Sequence, residues 1–377
     1  MKNFMKTFKD TFKNMFQGPT GRLMLYLVIF VGLIILIFIF IGIASLFKGH
    51  KYSYTEVEDK MKNAAIAYYE DRQDQLPTIE GNKVTVEASS LVESKNLKSL
   101  DKIVKKGVTC TGSVTVQKNG NYYLYKPSLD CGEDYKTKGL TEQIKNDNPI
   151  TSENDGLYEI GENLVFRGEN VNNYVSFSGK LWRIIRINSD GTLRLLEDDI
   201  VYTGVWDDRY NIDRESSTGI NNFDKSRLKD GLDRIYNKED MFNDQTKSQI
   251  VFKNLCIGKR NIEETNNSGD IECSSVTEPR PIGLMQTNEF MVASLDPNCT
   301  YLTDAQCSNY NYLANYTKST WTLNADSANT HRAYKFAGGY ASSTASNELG
   351  LRLVINLSDN INYTSGTGTL EDPYIVK

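Results

Sequence analysis

The chain has 377 residues, of which 39% are hydrophobic and 24% charged. That suits a globular body and excludes a protein that crosses a membrane many times. Its formal net charge of −5 is uneven, because Lys2, Lys6, Lys9, Lys13, Arg22, Lys48 and Lys51 face the single acid Asp10 near the amino terminus and leave the remainder acidic. An acidic body repels phosphate backbones, so nucleic acid is not expected as a partner.

Within residues 1–22, Phe4, Phe8, Phe12 and Phe16 recur every fourth position while Lys2, Lys6, Lys9 and Lys13 fall on another face. This is the pattern of a basic amphipathic helix at the inner headgroup layer. From Leu23 to Phe47 there is no charge. At ~1.5 Å per residue this run reaches roughly 37 Å, enough to cross a ~30 Å hydrocarbon core. It is too long for a signal-peptide core, so an uncleaved transmembrane helix over 23–47 is expected. The basic flank places residues 1–22 in the cytoplasm and the C-terminal domains outside the cell.

Thr55-Glu56-Val57-Glu58 has the spacing of a capping box, and Val57, Met61, Ala64 and Tyr68 follow at helical intervals. A helix over about 55–73 is expected. Strands follow at Lys83 to Glu87 and Thr109 to Gln117, with Asn119-Gly120 as the hairpin turn and Tyr122 to Tyr125 returning. These make a small α+β, membrane-proximal domain within 48–137. Residues 138–156 are polar and rich in Asn, Asp, Ser and Gly, and are read as a linker.

The distal domain, 157–377, shows short strands at Leu164 to Arg167 and Tyr174 to Phe177. A hairpin follows: Leu181 to Ile187, a turn at Ser189-Asp190-Gly191, then Thr192 to Leu196. Helices are expected over Phe223 to Tyr236, weakened by Gly231, and over Asn288 to Ser294. Leu351 to Leu357 reads as one apolar strand and Tyr374 to Val376 as the last. Between them lie long polar loops at 198–222, 258–280 and 324–347, a length that points to loops that are functional or tied down.

Six cysteines, Cys110, Cys131, Cys256, Cys273, Cys299 and Cys307, in an extracellular body point to disulfides. No C-x-x-C occurs and no histidine lies near them, so no metal site is expected. Of the fifteen connectivities that six cysteines allow, the sequential one is chosen: Cys110–Cys131, Cys256–Cys273 and Cys299–Cys307. The first pair sits at the open end of the predicted hairpin.

The stretch Trp182-Arg183-Ile184-Ile185-Arg186-Ile187-Asn188-Ser189-Asp190-Gly191-Thr192-Leu193-Arg194-Leu195, the strand Arg352 to Leu357 and the ending Gly366 to Tyr374 resemble an uncharacterised surface domain common in Firmicutes and related low-GC bacteria. There the late strand reads R-P-V-I-N-L; here Leu353 replaces the proline. Through Gly350-Leu351-Arg352-Leu353-Val354 that family is similar to the formylglycine-generating-enzyme and C-type-lectin-like folds. The resemblance implies a C-type-lectin-like α+β domain. The active oxidases of that fold hold copper with two cysteines near this strand. No cysteine follows Cys307 here, so the resemblance implies fold and not that chemistry, and no cofactor is expected. Residues 55–137 are similar to the membrane-proximal units that accompany this domain, some pilin-like. The apolar run lacks the Glu of a prepilin.

Trp206-Asp207-Asp208-Arg209-Tyr210 joins aromatics to carboxylates on a loop, a composition that stacks and hydrogen-bonds sugars, and is taken as the candidate ligand site. The competing reading has Trp206 in the core and the acids paired with Arg209 and Arg214. Glu197, Asp198 and Asp199 with Asp207 are the candidates for a glycosidase-like carboxylate pair. His331 has no G-x-S-x-G partner, so no catalytic residue is assigned. The expected function is a membrane-anchored extracellular binding or adhesion module for glycan or protein ligands. The alternatives are an envelope hydrolase using the acidic cluster, or a structural pilus-associated subunit.

Overall fold

The computed structural model describes residues 52–376 apart from residue 239. The amphipathic segment 1–22 and the apolar run 23–47 lie outside the described residues. Among the described residues no helix is long and apolar enough to cross a membrane.

Helix α1 (Tyr54–Glu70) buries Val57, Met61, Ala64 and Ala65 against a three-stranded antiparallel sheet. That sheet is built of β1 (Lys83–Glu87), β2 (Thr111–Asn119) and β3 (Tyr122–Asp130) in the order β1-β2-β3. Two short helices, α2 (Ala88–Glu93) and α3 (Leu100–Ile103), cross between β1 and β2. Gly112 on β2 is bare because a Cβ there would sit 2.6 Å from the Met61 methyl. The hairpin turn falls one residue later than expected: Asn119 pairs with Tyr122, and Gly120 takes the left-handed conformation at φ 56°. The shift has a cause. The buried Asn119 amide donates to the carbonyls of Ser248 at 2.7 Å and Ile250 at 2.9 Å, which holds it at the strand end and leaves Gly120-Asn121 to turn.

The segment 138–156 is not a bare linker. It contains α4 (Leu140–Asp147), whose Leu140 and Ile144 join the distal hydrophobic core. Two apolar residues one helical turn apart suffice to anchor an otherwise polar helix. The Asn362 amide donates to the Pro127 carbonyl at 2.9 Å, and residues 54–377 form one compact unit. The part up to residue 137 and the part from residue 157 are therefore docked on each other.

The distal part continues with β4 (Gly156–Ile160), β5 (Asn163–Arg167), β6 (Tyr174–Phe177), β7 (Lys180–Ile187), β8 (Leu193–Glu197) and β9 (Tyr202–Val205). Then come α5 (Arg227–Asn237), α6 (Asp244–Gln249), β10 (Ile282–Leu284) and α7 (Thr287–Ala293). The remaining strands are β11 (Thr320–Ala325), β12 (Arg332–Phe336), β13 (Tyr340–Thr344), β14 (Glu348–Leu351), β15 (Leu353–Leu357), β16 (Tyr363–Ser365) and β17 (Tyr374–Val376). The class is α+β. A nine-stranded sheet runs β10-β15-β8-β7-β6-β17-β16, with β4 and β5 attached through β7, and a five-stranded sheet runs β13-β12-β11-β14-β9.

Three expectations change, the first being that the loop 198–222 contains β9, paired with β14 over four residues. The apolar run Leu351 to Leu357 is two strands, β14 and β15, belonging to different sheets. The break falls at Arg352, whose guanidinium donates to the Glu197 carbonyl at 3.0 Å. The loop 324–347 contains β12 and β13, which pair over five residues. Their alternation is masked in the sequence by Arg332, Lys335 and Ser342 at half-buried positions and by the buried Ser343.

All six cysteines pair in sequence order: Cys110–Cys131, Cys256–Cys273 and Cys299–Cys307. The first bridge flanks the Thr111–Asp130 pair at the open end of the hairpin.

The sheet carries buried charge. Glu289, on the first turn of α7, is 3% exposed. Its carboxylate accepts from both the Nε and Nη2 of Arg194 on β8 and from the Gln286 amide at 2.8 Å. Arg186 on β7 approaches it at 3.5 Å. Glu289→Ala is expected to lower stability by about 3–5 kcal/mol, because the buried Arg194 guanidinium is then left without its anion and beside the partly buried Arg186. Thermal unfolding checks this, and a wild-type melting temperature would count against it.

Candidate functional site

Residues 206–210 split between interior and surface. Trp206 is fully buried; its indole donates to the Thr322 carbonyl at 3.2 Å and meets Phe223 edge-on. Asp207 is also fully buried. Its carboxylate accepts from Arg209 Nε at 2.9 Å and from the amides of Ile220 at 2.7 Å and Arg227 at 3.3 Å. Gly219 is forced to be glycine by this fold-back: a Cβ would lie 2.2 Å from the Asp207 carbonyl oxygen. Asp208 pairs with Arg227 at 2.9 Å on the surface, not with Arg214. Tyr210 is 59% exposed. Trp206 and Asp207 are thus the footing of the loop, and Asp208, Arg209 and Tyr210 are its outer part.

The three long loops converge. The Asn221 amide donates to the carbonyls of Asp326 and Arg332, both at 2.8 Å, and to that of Asn329. The Lys259 ammonium donates to Asn221 Oδ1 at 2.7 Å. The Arg260 amide reaches Ala325 O at 2.9 Å, and the Ala345 amide reaches His331 O at 2.9 Å. Loops 198–222, 258–280 and 324–347 are therefore laced to one another. His331 is 9% exposed, and its pKa is lowered by burial and by Arg214 and Arg332.

The acids proposed as a carboxylate pair are engaged with different partners. Glu197 is 1% exposed, and Lys180 lies 3.8 Å away. Burial raises its pKa to about 7, while Lys180, the Leu353 backbone amide and Arg352 pull it down and Asp199 adds to the rise. Asp198 accepts from the Tyr316 hydroxyl at 2.7 Å, and Arg352 lies 3.8 Å over the Tyr316 ring. Among the described residues no group of three His, Cys, Asp or Glu is placed to hold a metal ion.

A groove of about 400 Å³ lies between the edge strand β9 and helix α5, a volume within the usual range of ligand sites. Tyr202, Thr203, Gly204 and Val205 form one wall. The other comes from Arg227, Leu228, Gly231, Arg234, Ile235 and Lys238, with Leu351 at the floor. Helix α5 starts where the Ser226 hydroxyl caps the Lys229 amide, and Arg227, Gly231, Arg234 and Lys238 follow at steps of four, three and four, one helical stripe. All three cations are exposed. Arg227 carries Asp208, the Lys238 ammonium sits 5.1 Å from the Tyr202 ring centroid, and no ion pair is formed by Arg234 among the described residues.

Two glycines keep both walls bare. A Cβ on Gly204 would meet only Leu351 Cδ1 at 4.0 Å, and one on Gly231 only an Arg234 nitrogen at 4.0 Å. Neither backbone needs positive φ. Packing and conformation therefore do not require glycine at either place, and Gly231 costs about 1 kcal/mol relative to Ala in mid-helix. A second groove, of about 440 Å³, lies beside Cys110 among Glu87, Glu93 and Asp101. Its glycine, Gly112, is accounted for by Met61.

The groove residues were not among those singled out from the sequence, although the Arg227, Gly231, Arg234, Lys238 stripe and the weak Gly231 are both visible there. The candidate pentad touches the groove at one point, through the Asp208–Arg227 pair. Comparison with family models, curated proteins and solved structures finds no match.

Glu197 gives a testable pH signature. Its folded pKa of about 7 stands above the ordinary 4.5, so the folded state keeps a proton that the unfolded chain loses first. Stability should fall as pH rises from about 4.5 to about 7 and level off above. Glu197→Gln should remove that slope and raise stability at pH 8 by on the order of 1–3 kcal/mol. Urea melts at pH 5 and pH 8 measure it, and an unchanged slope would refute the assignment.

Proposed function

We propose that the protein is a single-pass, membrane-anchored surface protein. Residues 1–22 lie in the cytoplasm, 23–47 span the bilayer, and the body outside the cell binds a ligand without chemistry of its own. The distal part is read as a C-type-lectin-like domain, on the strength of the Trp182–Leu195, Arg352–Leu357 and Gly366–Tyr374 motifs. Three disulfides with no free cysteine support an oxidising compartment, since such bonds are rare in the cytosol. The ligand site is the β9–α5 groove. The observation that carries this reading is the pair of glycines, Gly204 and Gly231, which leave opposite walls open where packing would accept a methyl group.

The test is Gly231→Leu in the full-length chain in detergent micelles. Leucine is a strong helix former, so α5 should persist by circular dichroism while the groove fills. Binding to whichever glycans or peptides an array identifies should fall at least tenfold. Undiminished binding would move the site elsewhere. Protease shaving of intact cells checks the topology: residues beyond the apolar run should be cleaved, and protection of that portion would reverse the proposed orientation.

A further inference from the structure

We infer that the groove's occupant is an extended acidic peptide segment of another protein, lying along β9. This deepens the reading above and rests on it. Four observations converge on that chemistry.

β9 is the outer strand of the five-stranded sheet, paired on one side with β14 only. A strand edge offers backbone N–H and C=O groups at the repeat of a peptide, which is the basis of recognition by strand addition; on β9 the Gly204 carbonyl already accepts from the Trp321 indole at 3.0 Å, which leaves the other backbone groups of that edge to a peptide. Gly204 lies in that strand and Gly231 faces the same groove, and bare glycine in a strand is characteristic of places where a second backbone approaches closely.

The charged residues lining the helix wall are Arg227, Arg234 and Lys238, of which Arg227 is already paired with Asp208. Arg227 and Arg234 are separated by about 10 Å along the helix axis and Arg234 and Lys238 by about 6 Å. Carboxylates two residues apart on one face of an extended peptide are separated by about 7 Å, within reach of flexible arginine and lysine side chains. These cations stand out on a chain of formal net charge −5.

The site already shows the contact it would make. The exposed Asp208 carboxylate accepts from Arg227 Nε at 2.9 Å, at the end of the groove nearest the 206–210 loop. Sugar stacking is less well served. The aromatic residue of the groove is Tyr202, and the Lys238 ammonium sits over its ring at 5.1 Å.

The experiment uses the full-length chain in detergent micelles and three probes. They are an eight-residue peptide of alternating Glu and Val, the same peptide with Gln for Glu, and an oligogalacturonate of equal charge. The Glu–Val peptide should bind, weaken at least tenfold between 50 and 500 mM salt, and slow hydrogen exchange at β9 amides. The Gln–Val peptide should bind at least tenfold more weakly. Arg234→Glu, on the exposed face of α5, and Lys238→Glu, at its C-cap, should each weaken the Glu–Val peptide at least tenfold with helix content unchanged. The inference is overturned if the Glu–Val peptide does not bind, if the Gln–Val peptide binds equally, or if oligogalacturonate binds more tightly without protecting β9. The two readings fail differently. If Gly231→Leu abolishes binding of some other array ligand while the Glu–Val peptide is inert, the groove stands and the acidic peptide falls. If Gly231→Leu leaves all binding intact, both fall.

Discussion

The distal architecture turns on one carboxylate. Glu289 is enclosed between the face of the nine-stranded sheet and α7, where it answers Arg194 and Arg186 and closes its own helix start by accepting from Gln286. Arg186 shows the electrostatic balance: burial and Arg194 bring its pKa down to about 10, and Glu289 opposes them. A buried pair of this kind adds little net stability compared with an apolar core, but removing one member is severe. What it imposes here is position. The observed placement of α7 brings Glu289 to both arginines, and α7 in turn meets much else. Thr287 hydrogen-bonds Glu272, which pairs with the fully buried Arg260 at 2.8 Å. Phe290 packs on Phe336 and Tyr340. Through Glu272 and Arg260 the helix reaches loop 258–280, and through Phe336 and Tyr340 it reaches the hairpin of the second sheet.

Two further arginines are buried by other means. Arg183 lies between the rings of Tyr174 and Tyr312 at 4.0 and 4.7 Å, and Arg352 lies on Tyr316. Guanidiniums are weakly hydrated and stack on aromatic faces, so burial by rings is less costly than it would be for lysine. Arg352 also explains why an apolar run became two strands. Its donation to the Glu197 carbonyl draws the chain across between sheets, and β14 and β15 part on either side of it.

These features mark what the sequence shows by itself and what it hides. The Trp182–Leu196 hairpin, the α1 stripe and the disulfide pairing are local: each follows from spacing or from a turn within about twenty residues, and the structure bears them out except that Tyr69, not Tyr68, completes the buried face of α1. Helix α4 and strands β12 and β13 are not local. Leu140 and Ile144 find their core in residues far along the chain, and Arg332, Lys335, Ser342 and Ser343 hold half-buried or buried strand positions although such residues are not strong strand formers. Of the candidate site, the pentad's chemistry was readable but not its direction. Asp207 turns inward because three donors from Arg209, Ile220 and Arg227 meet there, and only the folded loop assembles them. The groove cations were legible as a helical stripe, but their meaning depends on β9, which the sequence does not pair with anything.

An exposed strand edge is a hazard, and proteins shield such edges with short strands, lysines and covering helices. β9 has all three: it is four residues long, α5 runs beside it, and Lys238 stands at its start. Edge protection alone therefore accounts for the cations. It does not account for the glycines. A shielded edge is best served by a filled wall, and alanine at Gly204 or Gly231 would meet no steric objection while alanine at Gly231 would strengthen α5. A groove kept open at a cost in helix stability, on the one sheet edge beside a cationic stripe, is better explained by something that enters it than by something it keeps out.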